Sequence, residues 1–214
     1  MRWPSARTAR PANRGWPLCG AVLLLIALQT GVAPAHVPGA GGAPVVGVPI
    51  AEITHGQMPV IARHGSAILD LAARQPAATE DFQRVLNYAR IQRAYCLWGL
   101  VPGSISDESS PFNACSHAYL AALRDLLLRM TAAGGTPAAV DLARRVDRDM
   151  IASSTALAYC SHSATPFDTA TVVRPVWADM AGHPASAASL GGLAALLTWA
   201  VAMFARWVAK PAGP

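Results

Sequence analysis

Charged side chains are scarce in this sequence. Only 14% of its 214 residues are Asp, Glu, Lys or Arg, whereas 53% are hydrophobic. Soluble globular domains carry roughly 25% charged residues, and disordered chains are poor in apolar ones. The composition therefore argues against a disordered protein and favours membrane-embedded segments. The length suffices for one domain with targeting segments.

Acidic residues are missing from the first part of the chain, where the first one is Glu52. The net charge of +5 comes from the two ends: four arginines lie within the first fourteen residues, and Arg206 and Lys210 lie near the C-terminus. Residues 36–205 include eleven arginines and twelve acidic residues. Because this central region has no basic surplus, we expect no nucleic-acid partner.

The familiar catalytic motifs are also missing. The sequence contains no Gly-rich phosphate loop, no H-E-x-x-H, no G-x-S-x-G, no C-x-x-C and no C-x-x-C-H. These absences remove the usual signals for nucleotide binding, metalloprotease or serine-hydrolase chemistry, thioredoxin-like redox chemistry and covalent haem. We therefore predict no cofactor and lean towards a protein that is not an enzyme.

The first 35 residues have the three parts of a secretory signal peptide. A basic stretch is followed by eleven apolar residues, 18–28, and then by Ala33-Pro34-Ala35. Small residues at these two alanine positions are what signal peptidase reads, so we predict a signal peptide at 1–35 with cleavage after Ala35. The remainder of the chain would then be exported.

A second apolar run lies near the C-terminus, where residues 184–205 include no charge. A helix of this length spans about 33 Å, close to the ~30 Å thickness of the bilayer hydrocarbon. Positive charge directly after the run favours a cytoplasmic C-terminus. We predict one transmembrane helix at 185–207 in contact with membrane lipid, and a cytoplasmic tail at 208–214.

This topology predicts a single-pass protein of the cell membrane, with its main domain in the periplasm or extracytoplasmic space. Small residues at helical spacing, Ala188, Gly191, Gly192 and Ala195, favour close packing against a helix of another membrane protein.

The exported region is predicted to be all-α. Residues 36–56 are rich in Gly, Ala and Pro and are typical of a flexible linker. Residues 57–162 form the predicted domain, an up-and-down four-helix bundle, because apolar residues recur at helical spacing and the connections are short. Residues 163–184 connect this domain to the membrane helix.

Capping residues and helix-breaking pairs predict where the four helices begin and end. The first is expected at about 59–74, the second from Thr79 to a stop at Pro102-Gly103, and the third from Ser110-Pro111 to Gly134-Gly135. The fourth begins at Thr136-Pro137, and its apolar spacing continues to Cys160. The second helix, with the widest apolar face, is expected to be central to the core.

The bundle topology brings three cysteines to one end. Cys96 lies near the end of the second predicted helix, Cys115 lies near the start of the third, and Cys160 ends the fourth. An oxidising compartment favours a disulfide, and we predict Cys96–Cys115, with pairings to Cys160 as alternatives.

A Cys/His cluster is the alternative use of these residues. Cys115, His117, Cys160 and His162 would supply ligands for a metal ion, or a Cys160 nucleophile activated by a histidine. His55, Met58 and His64 form a weaker set of soft ligands.

The favoured function is a membrane-tethered binding or assembly accessory of the bacterial envelope. The alternative is an exported enzyme or metal-handling protein that uses the Cys/His cluster.

Overall fold

The computed structural model describes residues 46–75, 78–132, 134–154, 157–163 and 165–208, and this part of the chain is mostly helical. The predicted signal peptide at 1–35, residues 36–45 of the predicted linker and residues 209–214 of the predicted tail lie outside the described residues. The described helices are α1 (Met58–Ala73), α2 (Glu80–Tyr95), α3 (Asn113–Ala132), α4 (Pro137–Ala152) and α5 (Pro184–Val208). Two short strands, β1 (Pro49–Ile50) and β2 (Phe167–Asp168), and two 3₁₀ segments, His55–Gln57 and Trp177–Gly182, complete the described elements.

The capping residues identified in the sequence begin two of these helices. The Thr79 hydroxyl accepts a hydrogen bond from the Phe82 N–H at 3.2 Å at the start of α2, and the Thr136 hydroxyl accepts one from the Ala139 N–H at 3.3 Å at the start of α4. Each hydroxyl satisfies a backbone donor that has no partner within its helix. Short polar side chains before an apolar stripe therefore predicted both starts correctly.

Helix α3 begins at Asn113, two residues after Pro111, the first helical position predicted behind a cap at Ser110. The Ser110 N–H donates to the Asp107 carbonyl at 3.1 Å, and the Ser110 hydroxyl accepts from the Phe112 N–H at 3.3 Å. These bonds close consecutive turns before the helix begins. The Asn113 side chain then donates to the Ser104 carbonyl at 3.2 Å, which fixes the preceding loop to the first turn of α3.

The central helix of the domain is α3, whereas the sequence had suggested the second helix. Helix α3 packs against α1, α2 and α4. Its buried side chains include polar ones, among them Ser116 and His117, which are completely buried. Because α3 is covered on most sides, its sequence has little amphipathic pattern. The sequence of α2 has a more regular apolar face, and this is why α2 was predicted to be the central helix.

Helix α4 ends at Ala152, so the prediction that it continues to Cys160 is wrong. The next residue, Ser153, has an extended backbone with φ −85° and ψ 109°. The sequence Ser153-Ser154-Thr155 follows the helix, and such side chains compete for backbone hydrogen bonds and disfavour a continuing helix. Cys160 therefore lies in a loop, residues 157–163, here named the Cys160 loop.

The last part of the predicted linker is packed on the domain. Strand β1 pairs antiparallel with β2, with Ile50 opposite Phe167, and Val48, Ile50 and Ile53 are buried in the core. Part of the connector also packs there, because the buried side chain of Gln92 donates to the Val173 carbonyl at 3.0 Å. Both segments thus belong to the folded domain.

Helix α5 covers the predicted membrane segment and has a different environment from α1–α4. Its most apolar stretch has a mean hydropathy of 1.8, and none of that stretch is buried. Leu197, Trp199, Phe204 and Trp207 are each more than half exposed. At 1.5 Å per residue, its 25 residues extend about 37 Å. Among the described residues, α5 is the helix that is long and apolar enough to cross a membrane.

The central position of α3 predicts unequal effects of two identical substitutions. Leu123 is fully buried and Leu128 is 45% exposed, both on α3. We expect Leu123→Ala to lower the free energy of unfolding by about 2–5 kcal/mol because it leaves a cavity, and Leu128→Ala to change it by less than about 1 kcal/mol. Chemical denaturation of the two purified variants measures the difference, and equal losses would contradict this arrangement of the core.

Candidate functional site

Cys96 and Cys115, the cysteines of the predicted disulfide, are joined at the α2–α3 end of the domain. Cys96 directly follows α2, Cys115 lies in the first turn of α3, and their Cα atoms are 5.6 Å apart. Both residues are buried. The Gln92 amide nitrogen lies 3.9 Å from each sulfur atom and also binds the connector. The disulfide therefore joins α2 to α3 directly beneath the connector.

His117 faces away from this disulfide. Two residues along an α-helix correspond to a rotation of about 200°, so Cys115 and His117 point in different directions from α3. The Cys115 sulfur bonds to Cys96, whereas His117 Nε2 lies 3.1 Å from Cys160 Sγ. The four residues of the predicted Cys/His cluster are thus divided between two neighbouring sites.

His55 takes the place that the sequence analysis had given to Cys115. The ligand atoms of His55, His117 and Cys160 all lie within 4.8 Å of one another, and these three residues are here named the His₂Cys cluster. The centroid of the His55 ring is 5.7 Å from that of His117, and the centroid of the His162 ring is 6.0 Å from that of His117. His162 therefore borders the cluster, and no sequence spacing indicated that residue 55 would meet residue 160.

Ser163 holds two parts of the cluster together. Its hydroxyl oxygen accepts hydrogen bonds from the His55 N–H at 3.0 Å and from the Cys160 N–H at 2.8 Å, and its O–H is 3.5 Å from Cys160 Sγ. A further backbone bond runs from the Gly56 N–H to the Ala158 carbonyl at 3.0 Å. Since Ser163 is itself buried, the His55 turn and the Cys160 loop are fixed to each other.

The environment of His117 keeps its imidazole neutral. The residue is completely buried, and burial, followed by the nearby His55 and His162, lowers the pKa of His117 to about 4. The Nδ1 atoms of His117 and His55 are buried and have no hydrogen-bond partner among the described residues. The cluster therefore offers the neutral imidazole of His117 beside one free thiol, Cys160.

This arrangement suits ligand binding better than nucleophilic catalysis. A catalytic Cys–His pair works as a thiolate beside an imidazolium, with a third group that orients the ring. The lowered pKa of His117 disfavours the imidazolium, and its Nδ1 has no orienting partner in the described part of the chain. Neutral imidazole is, in contrast, the form that binds metal ions.

The weaker ligand set from the sequence is not assembled. His64 Nε2 lies 2.8 Å from Asp149 Oδ2 and joins α1 to α4, and Met58 is fully buried in the hydrophobic core. Of the three residues, His55 alone belongs to the His₂Cys cluster.

A second polar group, which sequence reasoning missed, lies at the start of α5. His183 Nε2 is 2.9 Å from Asp107 Oδ2, and His183 Nδ1 is 2.7 Å from Ser186 Oγ. The Ser186 N–H also donates to His183 Nδ1 at 3.2 Å, so this nitrogen accepts and the N–H lies on the Asp107 side. Hydrogen bonds from Ser109, and then from His183, lower the pKa of Asp107 to about 2.

Although these residue types match a serine hydrolase, the geometry is that of a helix cap. Ser186 is completely buried, so a substrate cannot reach its hydroxyl. His183 instead satisfies a backbone donor in the first turn of α5. The group therefore attaches the start of α5 to the 103–110 loop.

The lowered pKa of His117 predicts a pH-dependent stability. An unfolded histidine titrates near pH 6.5, whereas folded His117 does so near 4, so between these values the unfolded chain binds the extra proton. The stabilisation from neutral His117 is complete above about pH 6.5 and is lost as the pH falls towards 4, by at most about 3 kcal/mol.

Urea denaturation of the chain in EDTA, at several pH values between 7.5 and 4.5, measures this loss. We expect the loss to be smaller in His117→Gln, where no group titrates at this position. An identical pH dependence in the two proteins would contradict a buried, neutral His117.

Comparisons with models of known families, with curated protein sequences and with solved structures find no significant match to this chain. The function is therefore argued from the chain's own features: the free thiol beside one buried and one partly exposed imidazole group, the disulfide next to them, and the exposed apolar helix.

Proposed function

We propose that this chain is an exported, single-pass membrane protein whose helical domain is a binding accessory of the bacterial envelope. In this proposal residues 1–35 are a signal peptide, α1–α4 form an up-and-down four-helix bundle outside the cytoplasm, and α5 crosses the membrane towards a cytoplasmic tail at 208–214. The observation that carries it is the exposed apolar surface of α5.

The apolar surface of α5 is unfavourable in water, and this supports a lipid environment for the helix. Burial of apolar surface is worth about 25 cal/mol per Å², and Trp199, Val201, Phe204 and Trp207 each leave more than half of their surface uncovered. The polar backbone groups of a helix are hydrogen-bonded internally, as a membrane span requires. Arg206 in the last turn suits the cytoplasmic boundary.

The attachment of α5 to the domain supports an oriented tether. His183 binds Asp107, and Trp177 packs edge-to-face on Phe112 with ring centroids 5.5 Å apart. These contacts lie just before or at the start of α5, so they would hold the first turns of α3 close to the bilayer. A bound ligand or partner would then meet the domain at the membrane surface.

The disulfide supports an oxidising compartment, because such bonds form and persist outside the cytoplasm. The small residues of α5 suit a neighbouring transmembrane helix, since Gly191 and Gly192 have open space where a side chain would be. An envelope assembly containing a second membrane protein is therefore the expected setting.

Membrane attachment predicts that charge in α5 releases the protein. Two arginines in place of Leu196 and Leu197, each costing about 2.5–3.5 kcal/mol in a bilayer centre, should move the chain from the alkaline-washed membrane pellet to the soluble fraction. Leu157→Arg, at a position 78% exposed on the domain, is the control and should stay in the pellet. Wild-type chain in the soluble fraction would refute the proposal.

Export predicts the state of the thiols. If cleavage after Ala35 removes Cys19, denatured chain labelled without reductant should carry one modified thiol, Cys160, and reduced chain should carry three. Mass spectrometry measures both numbers. Three modified thiols without reductant would contradict the disulfide, and four after reduction would contradict the cleavage.

A further inference from the structure

The His₂Cys cluster brings together three ligand atoms from parts of the chain that are distant in sequence. His55 lies in the 3₁₀ turn before α1, His117 lies in α3, and Cys160 lies in the loop after α4. We propose that these three residues bind one transition-metal ion of the borderline or soft class, with Zn²⁺ and Cu⁺ as the representative ions.

The distances fit a metal site with little movement. In a tetrahedral site with metal–ligand bonds of about 2.0–2.3 Å, the ligand atoms lie roughly 3.3–3.8 Å from each other. His117 Nε2 and Cys160 Sγ are 3.1 Å apart, and no pair of ligand atoms in the cluster exceeds 4.8 Å. An ion therefore needs side-chain shifts of about 1 Å, which rotation about the side-chain bonds can supply.

The chemistry of the ligands selects the class of ion. A thiolate and two imidazole nitrogens suit zinc and copper, whereas magnesium and calcium require oxygen ligands. The cluster contains no carboxylate. His117 faces Cys160 through its Nε2. The buried Nδ1 of His55 has no hydrogen-bond partner among the described residues, so the described chain leaves bonding capacity on this ring unused.

The residues around the cluster hold its ligands in position before an ion binds. Ser163 fixes the His55 backbone and the Cys160 backbone through hydrogen bonds of 3.0 and 2.8 Å, and His117 is held within the core. Because these ligands are held in place before binding, less conformational freedom is lost when an ion arrives.

Three protein ligands leave a fourth position open in a tetrahedral site. Structural zinc sites are usually closed by four protein ligands, whereas sites that exchange or react keep a position open. Both His55 and Cys160 are partly exposed, so the site lies near the surface of the domain. The site therefore suits an ion that binds and is then transferred to another site. A transition-metal ion is thus the ligand that we assign to the proposed binding accessory.

This inference rests on the proposed binding role for its biological meaning, but the two are tested separately. If the chain is soluble but binds metal, the membrane proposal fails and the metal site stands. If the chain is in the membrane but binds no metal, the metal site fails and the membrane proposal stands. The metal test uses full-length mature chain in detergent, freed of metal with EDTA under nitrogen so that the Cys160 thiol stays reduced and the disulfide stays intact.

Calorimetric titration with Zn²⁺ should give one ion per chain. We expect Cys160→Ser and His117→Gln to weaken binding by at least about a hundredfold, since loss of even an outer partner costs 10–100-fold. His64→Gln is the matched control, because His64 binds Asp149 outside the cluster, and it should bind Zn²⁺ as the wild type does. With Co²⁺, the wild type should show thiolate-to-metal charge-transfer absorption that Cys160→Ser lacks.

A measurement on the unaltered chain covers the case in which a variant fails to fold. Saturating Zn²⁺ should slow alkylation of Cys160 at least about tenfold, because a bound thiolate is shielded from the reagent. The proposal is overturned if Zn²⁺ leaves the alkylation rate unchanged, or if Cys160→Ser binds Zn²⁺ as tightly as the wild type.

Discussion

The burial of α3 is the constraint on which the rest of the structure depends. This helix packs against α1, α2 and α4, so any polar group on it must be satisfied inside the domain or remain without a partner. Asn113 meets this requirement in part, because its Nδ2 donates to the Ser104 carbonyl while its Oδ1 has no partner among the described residues, and Cys115 bonds to Cys96 directly after α2. His117 also meets it only in part, because its Nε2 lies 3.1 Å from Cys160 Sγ whereas its Nδ1 has no partner among the described residues.

Stability and the proposed metal binding place opposite demands on His117. A buried imidazole lowers the stability of the folded chain at acidic pH, and an apolar side chain of similar size would avoid this effect. The same burial keeps the ring neutral and therefore able to bind a metal ion. Ser163 offsets part of this disadvantage, because its hydroxyl fixes the backbones of His55 and Cys160 without the help of an ion.

The first turns of α3 connect the cluster to the proposed membrane anchor. His117 lies about one turn after Asn113, whose side chain holds the loop that carries Asp107, and Asp107 binds His183 at the start of α5. Phe112 adds a contact with Trp177. The proposed metal site, the disulfide and the start of the proposed membrane helix are therefore grouped at one end of the domain, and a partner in the bilayer would have a short path to a bound ion.

The sequence by itself determined the local features: the starts of α2 and α4 at Thr79 and Thr136, the apolar segment that forms α5, and a cysteine pairing between two successive helices. Each depends on neighbouring residues or on a short connection. The tertiary structure alone decided that α3 is central and that His55, rather than Cys115, joins His117 and Cys160. The position of α3 was hidden because a helix buried on most sides has little amphipathic pattern. The cluster was hidden because a contact across about a hundred residues depends on how the whole domain packs.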